Sequence, residues 1–256
     1  MENQSFANTS PWIELRSVID AGVGNRLGRL RILTKSWLED ARMLLRGAGG
    51  IMAANASTVV LSVVAGMVLV SWTMAHDLDW LALIRDQGPV NNREQLRSAA
   101  RLLSYWGDFA GFNMLVFGTL CCFAFVRRSP FFRRMTIAVV LATCLSGGVA
   151  NFVRVTSGRA RPGSHLTPGF HGPSFSAKKH SFPSAHTATA FGASVPVAVA
   201  FPPAGVPMLA VSGAVAWSRM ENNCHHPSDV LASVMLSCLL GIPLGLAIRR
   251  SHRVNL

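Results

Sequence analysis

Six long apolar stretches, separated by short charged segments, dominate the chain: roughly residues 51–75, 109–126, 136–153, 184–201, 206–217 and 230–248. At about 1.5 Å of rise per residue, a helix of some 20 apolar residues crosses a hydrocarbon core of about 30 Å with its backbone hydrogen bonds satisfied internally. A buried soluble core can imitate one or two such runs, but six in succession point to an all-α, polytopic membrane protein built as a six-transmembrane-helix bundle. Composition agrees, since 50% of the residues are hydrophobic and only 14% charged. The fifth stretch is the shortest.

Basic residues set the expected orientation, because cytoplasmic loops retain Lys and Arg more than translocated ones do. Arg26, Arg29, Arg31, Lys35, Arg42 and Arg46 precede the first stretch; Arg127, Arg128, Arg133 and Arg134 join the second to the third; Arg249, Arg250 and Arg253 follow the last. Both termini are therefore expected on the cytoplasmic side of a plasma membrane. The segments 154–183 and 219–228 then fall outside. The first of these is rich in positive charge against the rule, and an anionic ligand would account for it. The net charge of +12 is spread over several topological compartments, which argues against nucleic acid as a partner.

Leu27, Leu30, Leu33, Trp37, Leu38, Leu44 and Leu45 recur at near-helical spacing among Arg and Lys before the first stretch. They form either an N-terminal amphipathic interfacial helix on the inner leaflet or a helix packed on the bundle's cytoplasmic end. No cleavable leader is evident, because strong apolarity begins only near residue 50. The expected division is a cytoplasmic amphipathic N-terminal segment, 1–50, and a six-helix membrane domain, 51–256.

The five cysteines lie mostly within apolar stretches and define no disulfide framework. Cys224, His225 and His226 are adjacent and have no further ligand set in view, so no metal site and no cofactor are expected. Gly147, Gly148, Gly192, Gly205, Gly213 and Gly241 would allow helices to approach closely.

Chemistry-bearing residues gather at the expected outer ends of the third, fourth and sixth stretches. The clusters are Arg154 to Arg161-Pro162, Pro183-Ser184-Ala185-His186, and Ser218-Arg219 through His225 to Asp229. Phosphoryl transfer requires charge neutralisation on the phosphate oxygens, an aligned nucleophile and a proton for the leaving oxygen. Arg154, Arg161 and Arg219 offer permanently charged planar forks matched to phosphate. Ser184, immediately before an apolar run, can cap a helix whose free amides face a bound anion. His186 lies two residues on as a general acid. His225 and Asp229, four residues apart, have the separation at which a carboxylate can hydrogen-bond one imidazole nitrogen and aim the other.

These motifs resemble the type 2 phosphatidic acid phosphatase superfamily, the lipid phosphate phosphatases, whose signature is Lys-x6-Arg-Pro, Pro-Ser-Gly-His and Ser-Arg-x5-His-x3-Asp. Order and internal spacing match throughout, with Arg154 in place of Lys and Ala185 in place of Gly. Arg154 keeps the charge on a longer, planar head, and Ala185 adds a methyl group where backbone approaches phosphate. The resemblance implies that His225 attacks phosphorus, Asp229 supports it, and His186 protonates the leaving oxygen and then activates water. It further implies that Arg154, Arg161, Ser184, Ala185 and Arg219 bind the phosphate and that no metal is needed.

The substrate implied is a membrane lipid carrying a phosphate monoester or diphosphate, of the undecaprenyl diphosphate, phosphatidylglycerol phosphate, phosphatidic acid or lipid A type. The motifs read the phosphate and not the tail. Lys178, Lys179 and His180 could meet further negative charge or simply be solvated. Two alternatives use the same pocket: transfer of the phosphoryl group to an acceptor other than water, and lipid transport without hydrolysis.

Overall fold

The computed structural model describes residues 34–85, 93–106 and 109–253. The described residues from 41 onward form one compact unit, and residues 34–40 are helical. Leu27, Leu30 and Leu33 of the expected amphipathic helix lie outside the described residues.

Among the described residues the fold is helical, and the sole β-type pairing is an isolated bridge between Arg159 and Phe170. In chain order the helices are α1 (41–54), α2 (Ala56–Ala75), α3 (Asp77–Arg85), α4 (Arg93–Trp106), α5 (Met114–Val126, entered through a π-helical turn at Phe109–Asn113), α6 (Pro130–Ser157), α7 (Ala185–Ala200), α8 (Pro202–Glu221) and α9 (Pro227–Arg253). The stretches 136–153, 206–217 and 230–248 lie within α6, α8 and α9; 184–201 is α7 with its two caps; 109–126 is the π-helical turn and α5; and 51–75 is split by a turn at Asn55 between the end of α1 and α2.

Three of these are long and apolar enough to cross a membrane, Ala56–Ala75, Pro130–Ser157 and Pro227–His252, and a shorter apolar helix runs over Gly111–Val126. α7 is not among them. Its 16 residues reach only about 24 Å, and it occupies the middle of the bundle, packed on α6, α8 and α9. A helix enclosed by protein need not match the full hydrocarbon thickness. α2 is the opposite case, with Gly66 and Thr73 its only buried residues and Val60, Leu61, Val64, Met67 and Val68 turned outward. It packs on α9.

Small residues set the spacing around α7. A Cβ at Gly192 would stand 2.9 Å from the Thr143 Cα of α6, so only hydrogen fits there. Gly147, Gly205 and Gly241 are similarly close to neighbouring side chains or backbone, whereas Gly148 and Gly213 meet nothing within 4 Å, contrary to their expected packing role. Gly148 is exposed and Gly213 half-buried. Hydroxyls tie the helices further: Ser194 and Ser212 share a 2.6 Å hydrogen bond between α7 and α8, and Ser237 of α9 donates to the Ala188 carbonyl at 2.9 Å. In an apolar surrounding such bonds satisfy groups that would otherwise be stranded.

Candidate active site

The three motif clusters meet because each is made at a helix end. Arg154 stands in the last turn of α6, which stops at Gly158, a left-handed residue (φ 61°) whose amide bonds the Arg154 carbonyl at 3.2 Å. A Cβ there would lie 1.8 Å from the Gly172 carbonyl oxygen, so glycine is required both by conformation and by space. The chain then returns along residues 159–181, where Ser181 donates its amide to the Arg159 carbonyl at 3.1 Å and Arg161 donates to Lys178 at 2.9 Å.

Ser184 caps α7. Its Oγ accepts from the Thr187 amide at 3.5 Å and from the Thr187 hydroxyl at 2.9 Å. Its own amide donates to the Asp229 carbonyl at 3.3 Å, and its carbonyl accepts from Ser233 Oγ at 2.9 Å, which pins the start of α7 to the first turns of α9. Ala185 and His186 are the first two residues of that helix, Ala185 buried and His186 half-buried.

Arg219 occupies the last turn of α8. Its carbonyl accepts the amides of Cys224 at 3.0 Å and His225 at 3.2 Å, folding the third motif back on itself, while Gly163 of the first loop donates to Asn223 at 3.1 Å. Backbone hydrogen bonds therefore join all three clusters.

His225 is 1% exposed and Asp229 fully buried. The sequence leads one to expect the carboxylate to hydrogen-bond the imidazole. Instead His225 Nδ1 lies 2.7 Å from the Ser181 carbonyl, with Asp229 Oδ2 3.7 Å away, an ion-pair distance outside hydrogen-bonding range. A carbonyl oxygen can only accept, so Nδ1 carries the proton and the lone pair resides on Nε2. Asp229 is otherwise engaged: Oδ2 accepts from the Ser181 hydroxyl at 2.5 Å and the His226 amide at 2.7 Å, and Oδ1 accepts from Arg159 at 2.5 Å.

Burial pushes the His225 imidazole below its ordinary pKa. Asp229 opposes that shift, and the positive charges of Arg219 and Arg161 reinforce it. His226 is also lowered, chiefly by burial. Arg154 lies within electrostatic reach of both Arg161 and Arg219. The buried Nε of Arg154 has no hydrogen-bond partner among the described residues; Arg161 Nε donates to the His180 carbonyl at 3.3 Å, and Arg219 donates to Ser104 of α4. Three guanidinium groups held together repel, and an anion between them relieves that repulsion.

The PAP2 superfamily model matches residues 135–253. Over that segment the chain is similar to the PAP2 superfamily. The matched segment carries every motif residue, from Arg154 to Asp229, and the helices α7, α8 and α9 that position them. No curated protein matches the chain. A solved structure titled as the crystal structure of Aquifex aeolicus LpxE is similar at 18% identity and a TM-score of 0.48, covering 66% of this chain and 93% of that one.

Several residues at the centre of this site were not singled out from the sequence: Asp77, Ser104, Arg159, Ser181 and Ser228. Asp77 and Ser104 precede the PAP2 segment altogether. Arg159 sits inside the first motif, where a third arginine in eight residues was a signal. Among the described residues no His, Cys, Asp and Glu groups assemble as a metal site would.

Proposed function

We propose that this chain is a metal-independent integral membrane lipid phosphatase that cleaves a lipid phosphate monoester or diphosphate through a phosphohistidine intermediate. The observation that carries the reading is the setting of His225: buried, which pushes its pKa down, and hydrogen-bonded at Nδ1 to the Ser181 carbonyl so that Nε2 keeps its lone pair in the neutral form. A neutral imidazole beside three clustered arginines is what attack on a bound phosphate requires.

In the first step His225 Nε2 forms a bond to phosphorus as the bond to the lipid or diphosphate oxygen breaks, and His186 gives that oxygen a proton. In the second, His186 takes a proton from water, whose oxygen attacks phosphorus, breaks the N–P bond and releases inorganic phosphate. Arg154, Arg161 and Arg219 neutralise the phosphate oxygens, and at the start of α7 the Ala185 amide offers a further donor beside Ser184.

A hydrocarbon tail has a place to lie. A cavity of about 740 Å³ runs between α2 and α9, lined by apolar side chains such as Val63, Met67, Met235 and Leu239, and ends at Phe170 and Phe182. Phe182 directly follows Ser181, so the tail would lead to the site. With the charge distribution, this supports a six-helix transmembrane bundle, 51–256, in the plasma membrane, a cytoplasmic N-terminal segment, 1–50, both termini cytoplasmic and the site on the outer face.

The test is phosphate release by the protein in detergent, with chelator present, from phosphatidic acid, phosphatidylglycerol phosphate, undecaprenyl diphosphate and lipid A. Turnover of at least one, abolished by His225→Ala, is expected. Release that requires added divalent metal, or that survives His225→Ala, contradicts the reading.

A further inference from the structure

Asp229 does not stand alone. Arg159 Nη1 donates to Asp229 Oδ1 at 2.5 Å and to Ser228 Oγ at 2.7 Å, while Nη2 donates to Asp77 Oδ2 at 2.6 Å. Asp77 in turn accepts the Ser228 amide at 2.9 Å and the Ser228 hydroxyl at 2.6 Å. The Arg159 side chain is 7% exposed, Asp77 4% and Asp229 0%, and the Phe170 ring lies 5.5 Å from the Arg159 guanidinium carbon.

Two carboxylates buried side by side repel unless a cation stands between them. A guanidinium carries five donors on a planar fork and can serve both at once; an ammonium offers one point charge. Asp77 adds a second function. The Ser228 amide is one of the unpaired donors at the start of α9, and it is capped from α3 across 151 residues of sequence.

We propose that Arg159 and Asp77 are positioning residues for His225, acting through Asp229 and Ser181. Arg159 occupies Oδ1 of Asp229 and so commits Oδ2 to the Ser181 hydroxyl and the His226 amide. Ser181, held at its side chain, presents its carbonyl to His225 Nδ1. Asp77 anchors the other edge of the guanidinium and the first turn of α9, which begins two residues after His225. Without Arg159 the Asp229 carboxylate can turn towards the imidazole or away from it, and the Nδ1 contact is no longer enforced. The inference rests on the phosphatase reading for its kinetic consequence and on geometry alone for the state of the imidazole.

The experiment uses the full chain in detergent with Arg159→Gln, Arg159→Lys and Asp77→Asn, each checked by thermal unfolding. Phosphatidic acid in mixed micelles is the kinetic probe, and ¹⁵N-histidine NMR, with the His225 signal assigned by its loss in His225→Gln, reports the tautomer. Arg159→Gln is expected to lower kcat by tenfold or more, on the order seen when a supporting partner is lost, with KM changed less than about twofold. Arg159→Lys should recover part of that loss, and the Nδ1-protonated signature of His225 should weaken in Arg159→Gln. Should that variant fail to fold, Asp77→Asn carries the test, with a severalfold lower kcat at constant KM. A folded Arg159→Gln, or in its place Asp77→Asn, with wild-type kcat and an unaltered His225 spectrum overturns the proposal. Wild-type protein that releases no phosphate from any lipid sinks the phosphatase reading instead, and the NMR comparison still decides the positioning role.

Discussion

The backbone amide of Ser184 donates to the carbonyl of Asp229 at 3.3 Å, joining the cap of α7 to the first turn of α9. Motifs 45 residues apart in sequence thereby share one rigid corner. The Ser184 hydroxyl holds the first turn of α7, and the Ser184 carbonyl takes the Ser233 hydroxyl from the next turn of α9. The start of α7 and the first turns of α9 are thus tied together by main-chain and side-chain hydrogen bonds.

Replacing Ser184 with alanine removes the cap while leaving both backbone links in place. A loss of about 1 kcal/mol in unfolding stability is expected, the usual worth of such a cap. Because the same turn is proposed to hold phosphate, KM for a lipid phosphate should rise in parallel. Thermal unfolding and initial-rate kinetics on the purified variant measure both. A variant with unchanged Tm and KM would show that the cap is dispensable.

The lowered pKa of His225 gives a signed pH dependence. In the proposed mechanism the neutral imidazole is the reactive form, so the acid limb of kcat/KM should fall below pH 6.5, the ordinary value for the group. Stability follows the same sense. A histidine whose folded pKa is depressed binds its proton more readily when unfolded, so its contribution is present above about pH 6.5 and is lost as pH falls through the folded value. A pH–rate profile between pH 4 and 8 checks this, and an acid limb centred above 6.5 would contradict the burial argument.

Gly192 sets the α6–α7 distance. Gly192→Leu places a side chain where even a Cβ would sit 2.9 Å from the Thr143 Cα, so the helices must separate. Overpacking of this kind costs roughly 1–3 kcal/mol or more. Reduced thermal stability in detergent is expected, whereas Gly213→Leu, which meets open space, should be tolerated.

Arg161→Lys tests the need for a planar fork. The charge survives, but the Nε bond to the His180 carbonyl and the proposed two-point contact with phosphate do not. A clear rise in KM, of roughly tenfold, is expected from the loss of one charge-assisted contact. Equal KM for both proteins would remove Arg161 from the phosphate pocket.

The apolar helices were legible in the sequence because burial in lipid or protein demands unbroken hydrophobicity, which needs no partner to recognise. Their ends were less so. The stretch expected over 206–217 extends to Pro202–Glu221, since proline is tolerated in a first turn and Arg219 and Glu221 at the far end blur the hydropathy edge. The motif residues were legible through spacing at helix ends. Arg159 with Asp77 and Ser181 with His225 were not, because the partners are separated by 82 and 44 residues and follow no period. Nor could spacing reveal that a main-chain carbonyl, rather than Asp229, takes the imidazole proton. A four-residue separation permits a direct contact between His225 and Asp229 but does not require one when Arg159, Ser181 and the His226 amide claim the carboxylate first.

The central claim is that His225 becomes phosphorylated. The direct measurement is rapid quenching of the protein during turnover of a ³²P-labelled lipid phosphate, followed by peptide mapping. Acid-labile, base-stable label on the peptide containing His225, absent from His225→Ala, is the predicted result. Turnover with no protein-bound label in the wild type, together with phosphate release that persists in His225→Ala, would contradict it.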